Sequence, residues 1–258
     1  MLTKRIIACM DVRDGQVVKG VQFQQLRHAG DPAELARRYN VEGIDEVVVL
    51  DITATLETRQ ALARTIHAVA REIFLPLTVG GGIRSEDDAA AAIDAGADKV
   101  SLNTAALRNP ALITALARRY GSQAVIVAID AKRRTDPAAG GGDYAVFVRS
   151  GTSDAARDAA EWAREAESRG AGEILLTSMD RDGTRSGFDC GMTRAVADAV
   201  NIPVIASGGA GGLEHFAEVF TDGCADAALA ASIFHYADTS VTELKKYLRE
   251  QGIPVRIC

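Results

Sequence analysis

Eight short apolar runs recur along the 258 residues of this chain, with helical stretches between them. The runs are rich in Val, Ile, Leu and Ala and lack strict alternation, which is typical of strands buried on both faces. Eight strands that alternate with helices over about 250 residues predict an α/β fold, a (β/α)8 barrel of the TIM type. A doubly wound open sheet is the competing architecture. The runs span residues 5–11, 45–52, 75–81, 99–104, 124–130, 172–180, 202–209 and 227–232.

Capping residues mark the ends of the predicted helices. Segments 31–43 and 154–170 begin at an Asp suited to N-capping and end at a Gly suited to C-capping. Segment 85–96 opens with Ser and three acids, which are favourable at a helix N-terminus. Further helices are predicted at 109–121, 212–223 and 241–252.

The second half of the chain repeats the first. The stretch "GIDEVVVLDIT" begins at Gly43 and "GAGEILLTSMD" at Gly170, an offset of 127 residues. The turns "TVGGGIRS" and "ASGGAGG" match at the same offset, with Gly82 opposite Gly209. We therefore predict a single domain over residues 1–258, made of two repeated half-barrels at about 1–122 and 123–258, whose sites are related by approximate two-fold symmetry.

Charge and cysteine content exclude several classes of function. The formal net charge is −6, from 29 basic and 35 acidic residues, whereas a general nucleic-acid-binding protein has a basic surplus. No apolar run reaches the roughly 18–20 residues of a membrane span, and the apolar part of the N-terminus is too short for a signal peptide. The four cysteines form no CxxC pair and no zinc-ligand spacing. We expect a cytoplasmic protein with no metal, no cofactor and no nucleic-acid or membrane partner.

Two of the apolar runs lead directly into an acid, Asp11 and Asp130. In a (β/α)8 barrel the active site lies at the carboxyl ends of the strands. Two carboxylates on opposite sides of that mouth can act as general acid and general base on one reacting centre. Capping of the next turn is the alternative role for such an acid. The pairing of the two acids by the repeat favours the catalytic role.

Two Gly-rich turns also follow predicted strands, and each is followed one unit later by a small polar strand end, "SLNT" or "LAAS". Glycine permits positive φ, and backbone N–H groups at such turns and at helix starts bind anions. The pattern predicts two phosphate sites and a substrate with a phosphate at each end. Simple tight turning is the alternative reason for the glycines.

Four charged residues stand near the starts of predicted strands, where a salt-bridged plug at the bottom of the barrel is the commoner role. They are Arg5, Glu46, Lys99 and Glu173, with Asp98 on the same face. At the other end of the strands, Lys19 lies in a long connection, residues 14–32, of the kind that closes over substrates. Segment 134–151 is predicted to be a loop or a hairpin.

The motifs "IIACMDVRDGQVVKGVQF", "GADKVSLNT", "AIDAKR" and "GEILLTSMDRDGT" resemble the family of imidazole glycerol phosphate synthase cyclase subunits, from residue 4 to about 256. The resemblance implies a lyase of histidine biosynthesis. Ammonia from a partner glutaminase, bound as a heterodimer, would be added to the bis-phosphate N′-phosphoribulosyl-formimino-AICAR-phosphate (PRFAR). The products would be imidazole glycerol phosphate and AICAR.

The same resemblance implies roles for particular residues. Asp11 and Asp130 would be the acid/base pair. The four charges at the strand starts would form the gate through which ammonia enters, and Asp98 would contact the glutaminase. The substrate and its phosphates would be bound by Lys19, Gly82, Asn103, Thr104, Thr177, Asp182, Gly183, Gly209, Ala231 and Ser232.

Two alternatives remain at this point. The isomerase that acts one step earlier in the pathway shares the repeat, the twin phosphate sites and the two acids, but would lack the "VVKG" segment and the charged ring. A scaffold that only activates a glutaminase is disfavoured by the intact pair of acids. The stretches "VQFQQLRH" and "SGTSDAARD" depart from the family pattern, which leaves the conformations of these two segments open.

Overall fold

The computed structural model describes residues 2–21, 24–52, 56–134, 143–148, 153–235 and 239–257. Its strands are β1 (Arg5–Arg13), β2 (Gln16–Val21), β3 (Gln24–Gly30), β4 (Glu46–Asp51), β5 (Leu77–Gly80), β6 (Lys99–Leu102), β7 (Val125–Arg133), β8 (Tyr144–Val148), β9 (Ser153–Asp158), β10 (Glu173–Ser178), β11 (Val204–Ser207) and β12 (Ala227–Ala230). Its helices are α1 (Pro32–Glu42), α2 (Leu56–Ala70), α3 (Glu86–Asp94), α4 (Thr104–Arg108), α5 (Ala111–Tyr120), α6 (Ala159–Ser168), α7 (Cys190–Ala197), α8 (Leu213–Thr221), α9 (Ser232–His235) and α10 (Val241–Glu250).

Eight of the strands form a closed barrel. The hydrogen-bonded order runs β10, β11, β12, β1, β4, β5, β6, β7, and β7 pairs again with β10, so the sheet has no free edge in this ring. Pairs with a defined register, such as β1 with β4 and β7 with β10, are parallel. Helices lie between the barrel strands along the chain. The prediction of a (β/α)8 barrel is confirmed, and the open sheet is excluded.

The other four strands form two excursions from the barrel. β1 pairs antiparallel with β2 and β2 with β3, while β7 pairs antiparallel with β8 and β8 with β9. The segment after the first barrel strand, predicted as a long connection, is therefore largely a strand pair. The barrel strands also continue beyond the two acids, because the excursion strands give their backbones a second partner.

Helix capping follows the predicted pattern at α1 but not at α6. The Asp31 side chain accepts hydrogen bonds from the backbone N–H groups of Ala33 and Glu34, and Gly43 ends α1 with φ 83°. The predicted helix start at Asp154 is wrong. Residues 153–158 pair with β8 instead, and Asp158 is the residue that caps α6, by accepting from two backbone N–H groups.

The chain divides into two compact units, residues 1–101 with 229–258 and residues 102–228. In the first unit the strands bury continuous apolar runs, with Ile6, Ile7 and Met10 of β1 fully enclosed. In the second unit Ile126 and Trp162 are similarly enclosed. Continuous burial explains why the strands read as unbroken apolar runs rather than alternating ones. Division of the fold into half-barrels near residue 122 stays a prediction.

Among the described residues, the helices are too short or too polar to cross a bilayer.

The internal repeat is also a repeat of backbone geometry. Gly81 and Gly208, 127 residues apart, have φ values of 79° and 90°. A Cβ atom on Gly81 would overlap the backbone of Asp51, where β4 ends. A Cβ atom on Gly208 would overlap the backbone of Ser178, where β10 ends. Since Asp51 and Ser178 are also 127 residues apart, both turns need glycine for the same steric reason.

Replacement of Gly81 by Ala is expected to lower the free energy of unfolding by about 3 kcal/mol or more, because it combines left-handed strain with steric overlap. Gly252 provides a matched control, since its φ is 76° and nothing lies within 4 Å of its missing Cβ. Gly252→Ala should therefore cost only about 1–2 kcal/mol. Denaturant unfolding measures both values, and equal losses would show that the contact with Asp51 is unimportant.

Candidate active site

The two predicted catalytic acids occupy equivalent positions in their strands. Asp11 is opposite Leu50 in the parallel pair of β1 with β4, and it is the first residue of β1 paired with β2. Asp130 is opposite Thr177 in the parallel pair of β7 with β10, and it is the first residue of β7 paired with β8. Each acid thus lies where a barrel strand leaves the barrel, at its carboxyl end. Each acid is hydrogen-bonded into a ladder with a parallel strand on one side and an antiparallel strand on the other. This pairing fixes the position of its Cα and the direction of its Cβ.

Asp11 lies in a buried position, with only 7% of its surface exposed. The Cys9 thiol, two residues earlier on the same face of β1, is 3.9 Å from Asp11 Oδ1. A thiol is a weak hydrogen-bond donor, so this contact is a modest stabilisation of the carboxylate.

Asp130 is half-buried and is held by a side chain from the neighbouring β6–α4 junction. Asn103 Nδ2 donates a hydrogen bond to Asp130 Oδ2 over 2.9 Å. Burial raises the pKa of the Asp130 carboxyl, the Asn103 hydrogen bond lowers it, and the nearby charge of Asp182 raises it, with the result at about 6. A carboxyl with a pKa near 6 exchanges its proton readily at neutral pH, as a general acid or base must.

The repeat does not provide both acids with the same neighbours. The alignment of "KVSLNT" with "AALAAS" places Ala231, which follows β12, opposite Asn103, which follows β6. Alanine has no side-chain donor, so the amide that contacts Asp130 has no counterpart at the equivalent position of the other repeat. The two acids therefore start from similar backbone positions but have different side-chain neighbours. Different surroundings of this kind can give two carboxyl groups different pKa values.

Three further predicted substrate residues lie beside Asp130 or its neighbours in the second unit. Thr177 is opposite Asp130 in the ladder, and Asp182 is close enough to raise the Asp130 pKa. The backbone N–H of Asp182 donates to the Ser178 carbonyl over 2.9 Å and closes the turn that follows β10. The next residue, Gly183, has a left-handed φ of 75°. Three residues that the resemblance implies bind the substrate thus lie near the predicted catalytic acid Asp130 or in the turn beside it.

The predicted phosphate positions lie at left-handed glycine turns and at the starts of short helices. Gly82 and Gly209 have φ values of 78° and 103°, and the Gly209 carbonyl accepts from Gly187 N–H over 2.9 Å. Thr104 and Ser232 are the first residues of the short helices α4 and α9, and Ala231 immediately precedes α9. Binding of phosphate by these residues stays a prediction.

The charged residues at the strand starts form a bonded network in the first unit. Arg5 Nη1 lies 2.5 Å from Glu46 Oε1, and Lys99 Nζ lies 3.0 Å from Glu46 Oε2. Glu46 is buried, and each of its two carboxylate oxygens contacts one of the two cations. Glu173, the fourth member, is a buried residue at the start of β10 in the second unit.

The structure describes the side chain of the predicted site residue Asp98 but not that of Lys19. The backbone of Lys19 lies in β2, paired with Arg27, but its side chain lies outside what the structure describes. Asp98 Oδ2 accepts a hydrogen bond from Leu77 N–H over 2.8 Å, so this residue holds the start of β5 within the chain itself. No group of three or more potential ligands among the described residues is arranged to hold a metal ion.

The contact of Asn103 with Asp130 could not be found from sequence. The two residues are 27 positions apart and meet only because their strands are neighbours in the closed sheet. The sequence signal at Asn103 was the strand end "SLNT", which indicated a phosphate site rather than a partner for the acid.

The raised pKa of Asp130 makes stability depend on pH. An unfolded Asp has a pKa of about 4, so the folded chain holds the Asp130 proton more tightly than the unfolded chain does. Ionisation of Asp130 therefore destabilises the fold above about pH 6; this cost develops between about pH 4 and 6 and is absent at lower pH. We expect Asp130→Asn to be more stable than wild type at pH 8 but not at pH 4.

Chemical unfolding of the wild type and of Asp130→Asn at the two pH values measures this difference. Asp87→Asn, at an exposed position in the first turn of α3, is the control and should gain no stability at pH 8, because a carboxylate is favourable at a helix start. A stability difference for Asp130→Asn that is the same at both pH values would contradict the raised pKa.

Comparison with known proteins shows the family to which the chain belongs. A family model described as "Histidine biosynthesis protein" matches residues 5–240. The "Imidazole glycerol phosphate synthase subunit HisF" of Acidobacterium capsulatum is 60% identical over 257 residues, which cover 100% of this chain and 99% of the relative. The protein of the same name from Solibacter usitatus is 58% identical, with the same coverage.

Proposed function

Because this chain belongs to the family of histidine biosynthesis proteins, we propose that it is the cyclase subunit of imidazole glycerol phosphate synthase, an enzyme of histidine biosynthesis. Two relatives of 58–60% identity over the full length carry that subunit name. Their name favours the cyclase over the isomerase of the same pathway. The observation in the structure that carries the proposal is the Asp130 carboxyl, held by Asn103 at a barrel strand end with a pKa of about 6.

The proposed reaction is the addition of ammonia to the ketone of PRFAR, with formation of imidazole glycerol phosphate and release of AICAR and of the ketone oxygen as water. Ring formation and release of the amine both require protons to move, so a pair of carboxyl groups suffices without a redox group. Asp130 holds and releases a proton near neutral pH, and Asp11 is the second member of the pair. The strand-end turns with Gly82 and Gly209, and the helix starts at Thr104 and Ser232, would bind the two phosphates.

The relatives are named as a subunit, and we propose that this chain likewise works with a partner, a glutaminase that supplies ammonia. Support comes from apolar side chains near the amino ends of barrel strands. Leu2 before β1 is 92% exposed, and Phe74 before β5 is 96% exposed. Exposed apolar side chains of this kind are typical of protein–protein contacts. Arg5, Glu46 and Lys99 lie at the amino ends of their strands. Together with Glu173 they would form the ammonia gate, and Asp98 would contact the glutaminase.

A cytoplasmic location is part of the proposal. It is supported by Cys9, Cys190 and Cys224, which are free thiols, as is usual for proteins of a reducing compartment.

The catalytic pair is tested with free ammonia and no partner. Turnover of PRFAR by Asp11→Asn and by Asp130→Asn should each fall by at least about 100-fold, because each change removes a proton-transfer group and keeps the shape of the side chain. Affinity for PRFAR should be largely retained, since the phosphates are bound elsewhere. Near-wild-type turnover in both variants would remove the acid/base assignment and favour a non-catalytic scaffold.

The gate is tested in the complex with the glutaminase. Lys99→Met removes one of the two cations that hold the Glu46 carboxylate. We expect it to reduce turnover supported by glutamine more than turnover supported by added ammonia, because ammonia from solvent does not need the gate. Equal losses with the two nitrogen sources would mean that the network is only a structural plug.

A further inference from the structure

Three aspartates that precede barrel strands make the same pair of bonds to a neighbouring strand. In each, the carboxylate accepts from a backbone N–H, and the aspartate's own N–H donates to the carbonyl of that same residue. We call each such pair an aspartate clamp. The clamps join Asp45 to Ile6 (2.8 and 3.0 Å), Asp98 to Leu77 (2.8 and 2.8 Å) and Asp226 to Val204 (3.1 and 2.9 Å).

Two of the clamps are next to residues of the charged network. Asp45 immediately precedes Glu46, and its partner Ile6 immediately follows Arg5. Asp98 immediately precedes Lys99. The Asp45 clamp therefore fixes the backbone on both sides of the bond between Arg5 and Glu46. The Asp226 clamp precedes Ala227, which has no charge, and so provides a comparison within the same fold.

The Asp45 clamp is itself held by the C-terminal part of the chain. Lys245 Nζ, in α10, lies 2.7 Å from Asp45 Oδ1 and donates to the Gly43 carbonyl over 2.6 Å. Arg256 Nε lies 3.2 Å from the same Oδ1. Asp45 Oδ2 is the oxygen that accepts from Ile6 N–H. Asp45 Oδ2 is thus bonded to β1, and Asp45 Oδ1 is bonded to the C-terminal part of the chain.

The pair of Lys245 and Asp45 is buried, with 4% and 8% of their surfaces exposed. Few water molecules can reach a buried charge, so without the Lys245 ammonium Asp45 Oδ1 would depend on its longer bond to Arg256. Loss of that ammonium would leave the carboxylate to turn toward solvent or toward Arg256. Either movement changes the bond to Ile6 and, with it, the spacing of Arg5 and Glu46.

We propose that Lys245 is a positioning residue for the ammonia gate, acting through the Asp45 clamp on Arg5 and Glu46. The described bonds of Lys245 are to Gly43 and Asp45, so its effect is transmitted by the backbone between Asp45 and Glu46 and between Ile6 and Arg5. This inference rests on the proposed function of the chain. It goes further by assigning to the last helix a role in passage of ammonia.

The test is the amount of glutamine hydrolysed for each imidazole glycerol phosphate formed, measured in the complex with the glutaminase. In Lys245→Met, whose side chain has similar length and no charge, the ratio of glutamine-supported to ammonia-supported turnover should fall about tenfold. A misplacement of about 1 Å can cost about 100-fold, and an indirect one acting through the backbone should cost less. Glutamine consumption should exceed product formation. A residue that only stabilised the fold would lower both kinds of turnover together.

Two control variants distinguish a specific effect of Lys245 on the gate from a general loss of fold stability. Asp226→Asn weakens a clamp of the same geometry that is not next to the gate, and Lys246→Met removes an exposed charge from the same helix. Both should leave the ratio unchanged. The proposal is overturned if Lys245→Met leaves the ratio at the wild-type value, or if Asp226→Asn lowers it equally.

Arg256→Gln keeps the proposal testable if Lys245→Met does not fold. The Arg256 side chain is half exposed and bonds to the same Asp45 oxygen, so its loss should be tolerated and should shift the ratio in the same direction by a smaller factor. An unchanged ratio in Arg256→Gln would then overturn the proposal. Failure of the proposed function is a separate result: wild-type protein would not consume PRFAR with added ammonia.

Discussion

Closure of the sheet is the constraint on which the site depends. Every barrel strand has a hydrogen-bonded neighbour on each side, so extra structure joins the barrel only where a strand runs past its neighbour. β1 and β7 do this at Asp11 and Asp130, where each takes an antiparallel excursion strand as a new partner. Each acid is therefore built into paired backbone rather than placed on a loop, which holds a catalytic group more rigidly.

The internal repeat supplies two similar frameworks, and a few side chains make them different. Gly81 and Gly208 turn in the same way against Asp51 and Ser178 because a side chain would overlap those backbones. Asn103, by contrast, contributes an amide to Asp130, and the position equivalent to it is Ala231. Backbone symmetry is thus kept where packing demands it, while the side chains give the two strand-end carboxyl groups different neighbours.

Strand polarity separates the chemistry from the charged network. The acids lie at the carboxyl ends of β1 and β7, whereas Arg5, Glu46 and Lys99 lie at the amino ends of β1, β4 and β6. Aspartate clamps fix those amino ends, and one of them is held in turn by a buried lysine from the last helix. A signal in sequence existed for the clamps, since an Asp precedes the strands that begin at Glu46, Lys99 and Ala227. The role of these aspartates could be recognised only when the structure showed which backbone groups they bond.

The sequence by itself determined the barrel, its repeat, the acids at two strand ends and the glycine turns, because buried strands, helix caps and positive φ leave local patterns. It misplaced the start of α6, since only pairing with β8 makes residues 153–158 extended. Tertiary structure alone decided that burial raises the pKa of Asp130, against the hydrogen bond from Asn103 and with a smaller contribution from Asp182. It also decided that Lys245 reaches Asp45, 200 residues away. Such contacts join residues distant in sequence, and they exist only once neighbouring strands and the last helix are packed.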